Sequence, residues 1–459
     1  MKALSFCVLL CTTACCSFAG LVTYPAPGGE PLSTNYTVEV SGKIVPVYTA
    51  RVLDAPFDTG KYNYGGPYSF TGFDLSGPAQ VRIRSTRKLN NLVIRPARKD
   101  VKVRTVDSQT VILSVPGPCK LSVEPDGRNS PLLLFASSIE KAPDTGPDDP
   151  NLLYFPPGIH HPGKIALTND QTLYISGGAL VKGGVVAEGK NIRIRGRGIL
   201  DGSDYEWRKG PTPDTISIRG TNIEVSGITI RGSSHWTIVP RNSSMISIRD
   251  VKICGSRVQN DDGINPCNSQ DVHITDCFIR SDDDCIALKG LDLKAANNNV
   301  ERITVENCIL WCDRARVFLL GHESRAALMQ DIQLRSLDII HFSMTAFLFE
   351  PGEEMRLQRV EVENVRLNAD GQNELIRLKP VVNQYMHNKV PGHIADIHFK
   401  NVTVGGGPGA CKIQVMGADP THQSRKVIFS GIRIGGNTLT QESPSIEIGP
   451  HVVDVRVLE

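Results

Sequence analysis

The stretch 281-SDDDCIALKG-290 sets Asp282, Asp283 and Asp284 side by side ahead of an apolar run. Adjacent carboxylates repel, so a chain that keeps three together needs either compensation or a use for them. Three uses are open: a solvated acidic turn, oxygen ligands for a hard cation such as calcium, or carboxylates that divide acid and base work. A further aspartate, Asp262 in 260-NDDGIN-265, stands 22 residues before Asp284. Whether these segments meet depends on the elements that carry them.

Those elements show in a repeat. The copies are 223-IEVSGITI, 246-ISIRDVKI, 272-VHITDCFI, 303-ITVENCIL, 332-IQLRSLDI, 360-VEVENVRL, 397-IHFKNVTV and 427-VIFSGIRI, at spacings from 23 to 37 residues. Repeats of this length point to a solenoid. Positions one, three, six and eight are apolar in every copy. Period-two alternation on both sides of a two-residue break predicts two short strands meeting at a bend. The fifth position is the bend and reads Gly227, Asp250, Asp276, Asn307, Ser336, Asn364, Asn401 and Gly431. Gly, Asn and Asp best tolerate a left-handed backbone. Cys277 and Cys308 fall in an inward row and are read as packing residues. The predicted fold class is all-β: a right-handed parallel β-helix, its handedness taken from known examples of the architecture, with coils about 4.8 Å apart.

One coil then separates Asp262 from Asp284, which places them on neighbouring strands with Asp283 just beside. Like charges at strand spacing raise at least one pKa and favour a shared proton or an acid/base division. Asp282 and Ser281 read as an ordinary acidic turn. A calcium site stays open as an alternative for the trio.

The segment from Asn260 to Gly290 resembles the Asn-x-Asp-Gly…Asp-Asp-Cys-Ile-Ala pattern of the polygalacturonase family, glycosidases built on this helix. The stretches 152-LLYFPPGIHHPG-163, 171-QTLYISGGALV-181 and 192-IRIRGRGILDGS-203 are similar to that family's first coils. The resemblance implies Asp283 as the general acid, with Asp262 and Asp284 activating water for hydrolysis with inversion and no metal or cofactor. It also exposes departures. The family's Gly-His-Gly position falls on 315-ARVFLLGHES-324, bringing Arg316 rather than a histidine to the aspartates. Its Arg-x-Lys position, which holds a uronate carboxylate, falls on the acidic 346-AFLFEPGEE-354, while Arg377 and Lys379 come a coil later. The segment 309-ILWCDRARVFLLGHESR-325 looks more like the dextranase and isopullulanase family, enzymes of neutral α-glucans with an N-terminal β-sandwich. Candidate substrate contacts are Asn260, Arg316, His322 and Glu323, the last two equally readable as a structural pair. Trp207, Trp236 and Trp311 could stack on sugars or simply pack.

The rest of the chain sets the context. Residues 20–145 carry alternating strands with Gly/Pro turns and predict a small β-sandwich; 142–151 reads as a linker, and 443–459 as a strand closing the last coil of a helix over 146–459. Residues 1–19 have Lys2, a short apolar stretch and small residues ending at Ala19, the pattern of a cleaved signal peptide and of a secreted or periplasmic protein. The apolar stretch is too short for a membrane span, and Thr12 weakens lipid attachment at Cys15. Four of the 12 cysteines fall in this segment, and the remaining eight are too few for a disulfide scaffold at 459 residues. Lys+Arg 50 against Asp+Glu 48 gives no support for nucleic acid or an anionic membrane as partner. The reading is a monomeric enzyme acting on a polysaccharide or oligosaccharide, with a β-helix lyase and a non-catalytic glycan-binding helix as rivals.

Overall fold

The computed structural model of the chain describes residues 20–459 except 59, 61, 98–99, 142–148 and 293–296. The expected signal peptide, Cys15 and most of the expected linker lie outside these residues. The regular elements described are strands.

The repeat behaves as its pattern requires. Position one of successive copies lines up across coils: Ile246 with Val272, Val272 with Ile303, Ile303 with Ile332, Ile332 with Val360, Val360 with Ile397, and Ile397 with Val427. The four apolar rows fill one continuous core that includes Val272, Ile274, Cys277 and Ile279 from a single copy. Cys277 and Cys308 belong to that core, and all eight described cysteines are buried thiols. Every fifth position has positive φ, from 53° at Asn401 to 80° at Gly227. A further face closes each coil. It stacks Ile286–Leu288, Arg316–Gly321, Thr345–Glu350, Glu374–Leu378, Lys412–Val415 and Ile446–Ile448 in parallel. The chain end supplies two strands rather than the single one expected: Ile446–Ile448 extends this face, and Val452–Leu458 continues the stack beside Ser424–Ser430. The two form one more coil because apolar pairs such as Val427 and Val455 continue the row.

The first unit is two sheets face to face. Val38, Val81 and Leu113 from one sheet and Phe73, Leu121 and Leu134 from the other share a core, the arrangement of a β-sandwich. This unit does not hang free of the helix. Tyr68, Phe70, Leu133 and Phe135 pack on Cys254, Phe278, Ile309 and Trp311, and the rings of Phe135 and Phe278 lie 5.2 Å apart. The guanidinium of Arg280 is held between the rings of Tyr68 and Trp311, 4.1 Å from each, and pairs with Asp313 at 2.8 Å. Trp311 is wholly buried here, which corrects the option of a sugar-stacking role: the sandwich covers the strand face it occupies.

The bends are left-handed by backbone demand, and that demand is separable from side-chain bonding at Ser336, where φ is 57°. Ser336→Val is expected to cost about 1–2 kcal/mol, because a branched side chain resists this conformation, whereas Ser336→Gly keeps or raises stability. Thermal melts of the two variants check this, and equal melting temperatures would contradict it.

Candidate active site

The coil ladder brings the aspartates together. The amide of Gly263 donates to the carbonyl of Asp284 (2.9 Å), and the amide of Cys285 donates to the carbonyl of Arg316 (3.1 Å). Asp262, Asp284 and Arg316 therefore share one rung on three consecutive coils, as the bridge between Ile264 and Ile286 and the pairing of Ile286 with Phe318 also require. The glycine of the motif has a local reason. A Cβ on Gly263 would fall 2.4 Å from the carbonyl oxygen of Cys285.

All three carboxylates are buried, and each has different company. Asp283 accepts from Asn260 Nδ2 (3.1 Å) and Arg314 Nη2 (2.7 Å). Asp284 faces Arg316, with Nη2 at 3.1 Å and a less well aimed Nε at 2.9 Å. Asp262 accepts from Asn265 Nδ2 (2.8 Å) and lies 3.9 Å from Lys289 Nζ, while its Oδ1 is buried with no protein partner. Lys289 in turn pairs with Glu323 and stands 4.8 Å over the ring of half-buried Trp236. His322 turns away from the trio, its Nδ1 meeting Glu350 Oε2 at 2.8 Å. Of the candidate contacts, Asn260 and Arg316 thus touch the trio directly. Glu323 reaches it through Lys289, and His322 joins a neighbouring pair.

Asp282 requires a correction. It is no solvated turn residue; Asp282 and Ser281 are both 0% exposed. Asp282 accepts from Tyr64 Oη (2.5 Å), Arg314 Nη2 (2.7 Å) and the amide of Asn260 (3.2 Å). The cause is the first unit, which lays the Tyr64 loop over this turn and excludes water from it. Arg314, Lys289 and Tyr64 are the residues that sequence reasoning passed over. A signal existed for Arg314, a second cation two residues before Arg316 in the bend that leads into its strand. None existed for Tyr64, which arrives from 218 positions away.

The electrostatics divide the trio. Burial pushes Asp262 well up, and the charges of Asp283 and Asp284 add to the effect against Lys289. Burial likewise lifts Asp284 to about 6, opposed by Arg316 and reinforced by Asp283. Asp283 goes the other way: burial acts upward on it too, but Arg314, Arg316 and Lys289 hold it below the ordinary carboxylate value. One buried carboxylate is thus kept ionised while its two neighbours hold protons readily, the asymmetry that acid/base chemistry uses.

Residues 172–308, which contain all three aspartates, match the model described as Glycosyl hydrolases family 28. The chain is polygalacturonase-like. It is 26% identical over 206 residues to a probable polygalacturonase of Vitis vinifera (36% of this chain, 42% of that protein). It is also 25% identical over 342 residues to an isopullulanase of Aspergillus niger (61% of this chain, 58% of that protein). The matches therefore span about half the length of these relatives. Among solved structures, Dex49A from Penicillium minioluteum superposes with a TM-score of 0.69 at 17% identity, over 95% of this chain and 96% of that one. A family 28 exopolygalacturonase from Yersinia enterocolitica gives 0.51 at 14% identity over the same shares. These two likenesses are of fold, and they extend across both units.

The contact between Tyr64 and Asp282 makes a test of whether the first unit serves the site. Tyr64→Phe removes one donor from a buried carboxylate, a loss of about 1.5–3 kcal/mol where the acceptor is charged. If that loss is felt in turnover, kcat/KM falls roughly ten- to hundred-fold with the fold intact by circular dichroism. Unchanged kcat/KM would leave the contact purely structural.

Proposed function

We propose that the chain is a glycoside hydrolase that cleaves glycosidic bonds of a polysaccharide or oligosaccharide with inversion, secreted or exported to the periplasm and working as a monomer, with its catalytic unit over 146–459. The observation carrying this reading is the rung shared by Asp262 and Asp284, with the ionised Asp283 beside it. Asp283 protonates the glycosidic oxygen, and Asp262 and Asp284 hold the attacking water; the unpartnered Oδ1 of Asp262 is the acceptor offered to it. In the empty groove the mobile proton rests on Asp262 and Asp284, since both are raised and Asp283 is not. A bound sugar sets its glycosidic oxygen beside Asp283, where the proton is needed. The proton then passes to Asp283, and its two neighbours become the ionised pair that activates water.

The bond chemistry is polygalacturonase-like, but the pairing of charges favours a neutral α-glucan as substrate. Each cation touching the trio is already engaged: Lys289 with Glu323, Arg316 with Asp284, and Arg314 with Asp282 and Asp283. The strand one coil beyond Arg316 sets Thr345 opposite it and ends at Glu350, with which Arg377 on the following coil pairs at 3.4 Å. A uronate carboxylate would have to compete with these carboxylates for the cations beside the trio, whereas a neutral hydroxyl meets donors and acceptors alike.

Product analysis on dextran, pullulan, other α-glucans and polygalacturonate tests both levels. New reducing ends are expected from a neutral α-glucan, with the inverted anomer formed first by proton NMR. Asp283→Asn should lower kcat by about 10²–10⁴, the usual worth of a positioned acid, at unchanged melting temperature. Retained activity in that variant, a retained anomer, or an unsaturated product absorbing in the ultraviolet would overturn the assignment. Cleavage of polygalacturonate alone would overturn only the choice of sugar.

The pH profile adds a separate check. Asp284 must be ionised to activate water, so kcat/KM should fall as pH drops through about 6. Arg316 favours the charged form of Asp284, so Arg316→Gln should move this acid limb to higher pH. A limb that stays in place would remove Arg316 from the acid/base machinery.

A further inference from the structure

Away from the aspartates, one corner of three consecutive coils collects Glu354, His393 and His422, whose ligand atoms all lie within 4.8 Å of one another. The strand pairings of Arg356 with His393 and Ile394 with Ser424 put the three on consecutive coils, one residue per coil and within two positions of a common register, as a loose column. We propose that this column is a binding site for a divalent transition-metal ion of the zinc class, which clamps three coils together.

The argument starts from the direction of lone pairs. His422 Nδ1 lies 2.7 Å from Asp419 Oδ2, so that nitrogen carries the hydrogen and donates it. A neutral His422 then turns a bare lone pair on Nε2 toward Glu354 Oε1, 3.3 Å away. The second oxygen of the same carboxylate faces His393 Nε2 at 3.1 Å. Two imidazoles and both oxygens of one carboxylate thus converge, with the rings 4.9 Å apart. Something positive must reconcile them, a proton or a metal ion. The ligand set fits the ion: two imidazoles and a carboxylate are donors that a zinc-class metal takes. The edge of a tetrahedron with metal–ligand bonds of about 2.0–2.1 Å is roughly 3.3 Å, so ligand atoms now within 4.8 Å of one another would draw in around the ion.

Two more features fit. Asp419 behind His422 is the outer carboxylate that fixes tautomer and ring orientation at histidine metal sites. Glu353 and Glu354 are consecutive non-glycine residues with φ of 53° and 63°, a left-handed pair that costs free energy and aims Glu354 at the histidines. Glu354 is 61% exposed, leaving an open side for entry and for water as the fourth ligand. The same turn anchors the 379–392 excursion, since the amides of Glu353 and Glu354 donate to the carbonyls of Val390 and Pro391. That excursion carries Tyr385 to the ring of His322 (5.5 Å), so the ion would brace a segment bordering the groove.

Calorimetric titration of the chelator-treated full chain with Zn²⁺ tests the proposal, with Co²⁺ as a spectroscopic probe. The expected result is saturable binding at this column, four-coordinate cobalt absorption and a higher melting temperature with zinc. His393→Gln and His422→Gln should each abolish that binding event, and Asp419→Asn should weaken it about ten- to hundred-fold. Glu354→Gln, at the most exposed ligand, gives the same loss without disturbing the core. Absence of saturable binding, or binding that survives all the ligand variants, would overturn the site.

Discussion

One distance governs this molecule: the backbone ladder between consecutive coils, which holds equivalent residues about 4.8 Å apart. The ladder forces each residue type to be repeated or answered on the next coil. Where the type is apolar, the result is the continuous core running from Ile165 to Leu439. Where it is asparagine, side chains bond along the stack, as Asn401 does to Asn364 at 3.1 Å. Where it is aspartate, like charges face each other with little water between them. Asp262 and Asp284 are such a pair, and the next rung answers them with Arg316. The candidate site is in this sense a defect in the stacking rule, kept tolerable by cations and by raised proton affinity.

That compensation is distributed over both units. Lys289 and Arg316 come from the helix itself, on strands adjoining the trio. Arg314 bridges Asp282 and Asp283, 2.7 Å from an oxygen of each. Tyr64 completes the shell from the sandwich, while Arg280 and Asp313 lock the two units together just beneath. A helix without its sandwich would expose Trp311, Arg280 and Phe278, and would leave Asp282 open to water. The extra unit is therefore part of the groove's dielectric environment rather than an appendage.

How far the residues could be read in advance follows from the range of each interaction. The repeat was legible because a coil's inward rows recur within 23 to 37 residues, and the left-handed bends because a single residue type decides them. The register of Asp262 on Asp284 was legible for the same reason. Asp282 was misread, since its neighbours in sequence cannot reveal a tyrosine donated from another unit. Trp311 stood open between two roles until the sandwich was seen to bury it. The chain end read as one strand, but its apolar alternation served one coil face and Ile446–Ile448 the other.

By itself the sequence determined the solenoid, its coil register and the meeting of three aspartates, because periodicity and hydrogen-bond ladders are local and repetitive. Only the tertiary structure decided which carboxylate is kept ionised. That choice depends on burial and on Arg314, Arg316 and Lys289, whose distances no spacing rule contains. It also decided that the acidic triplet is sealed by Tyr64, and that a glutamate and two histidines from separate coils share one corner. Those outcomes come from side chains meeting across coils and between units, where charge and solvent exclusion act through space.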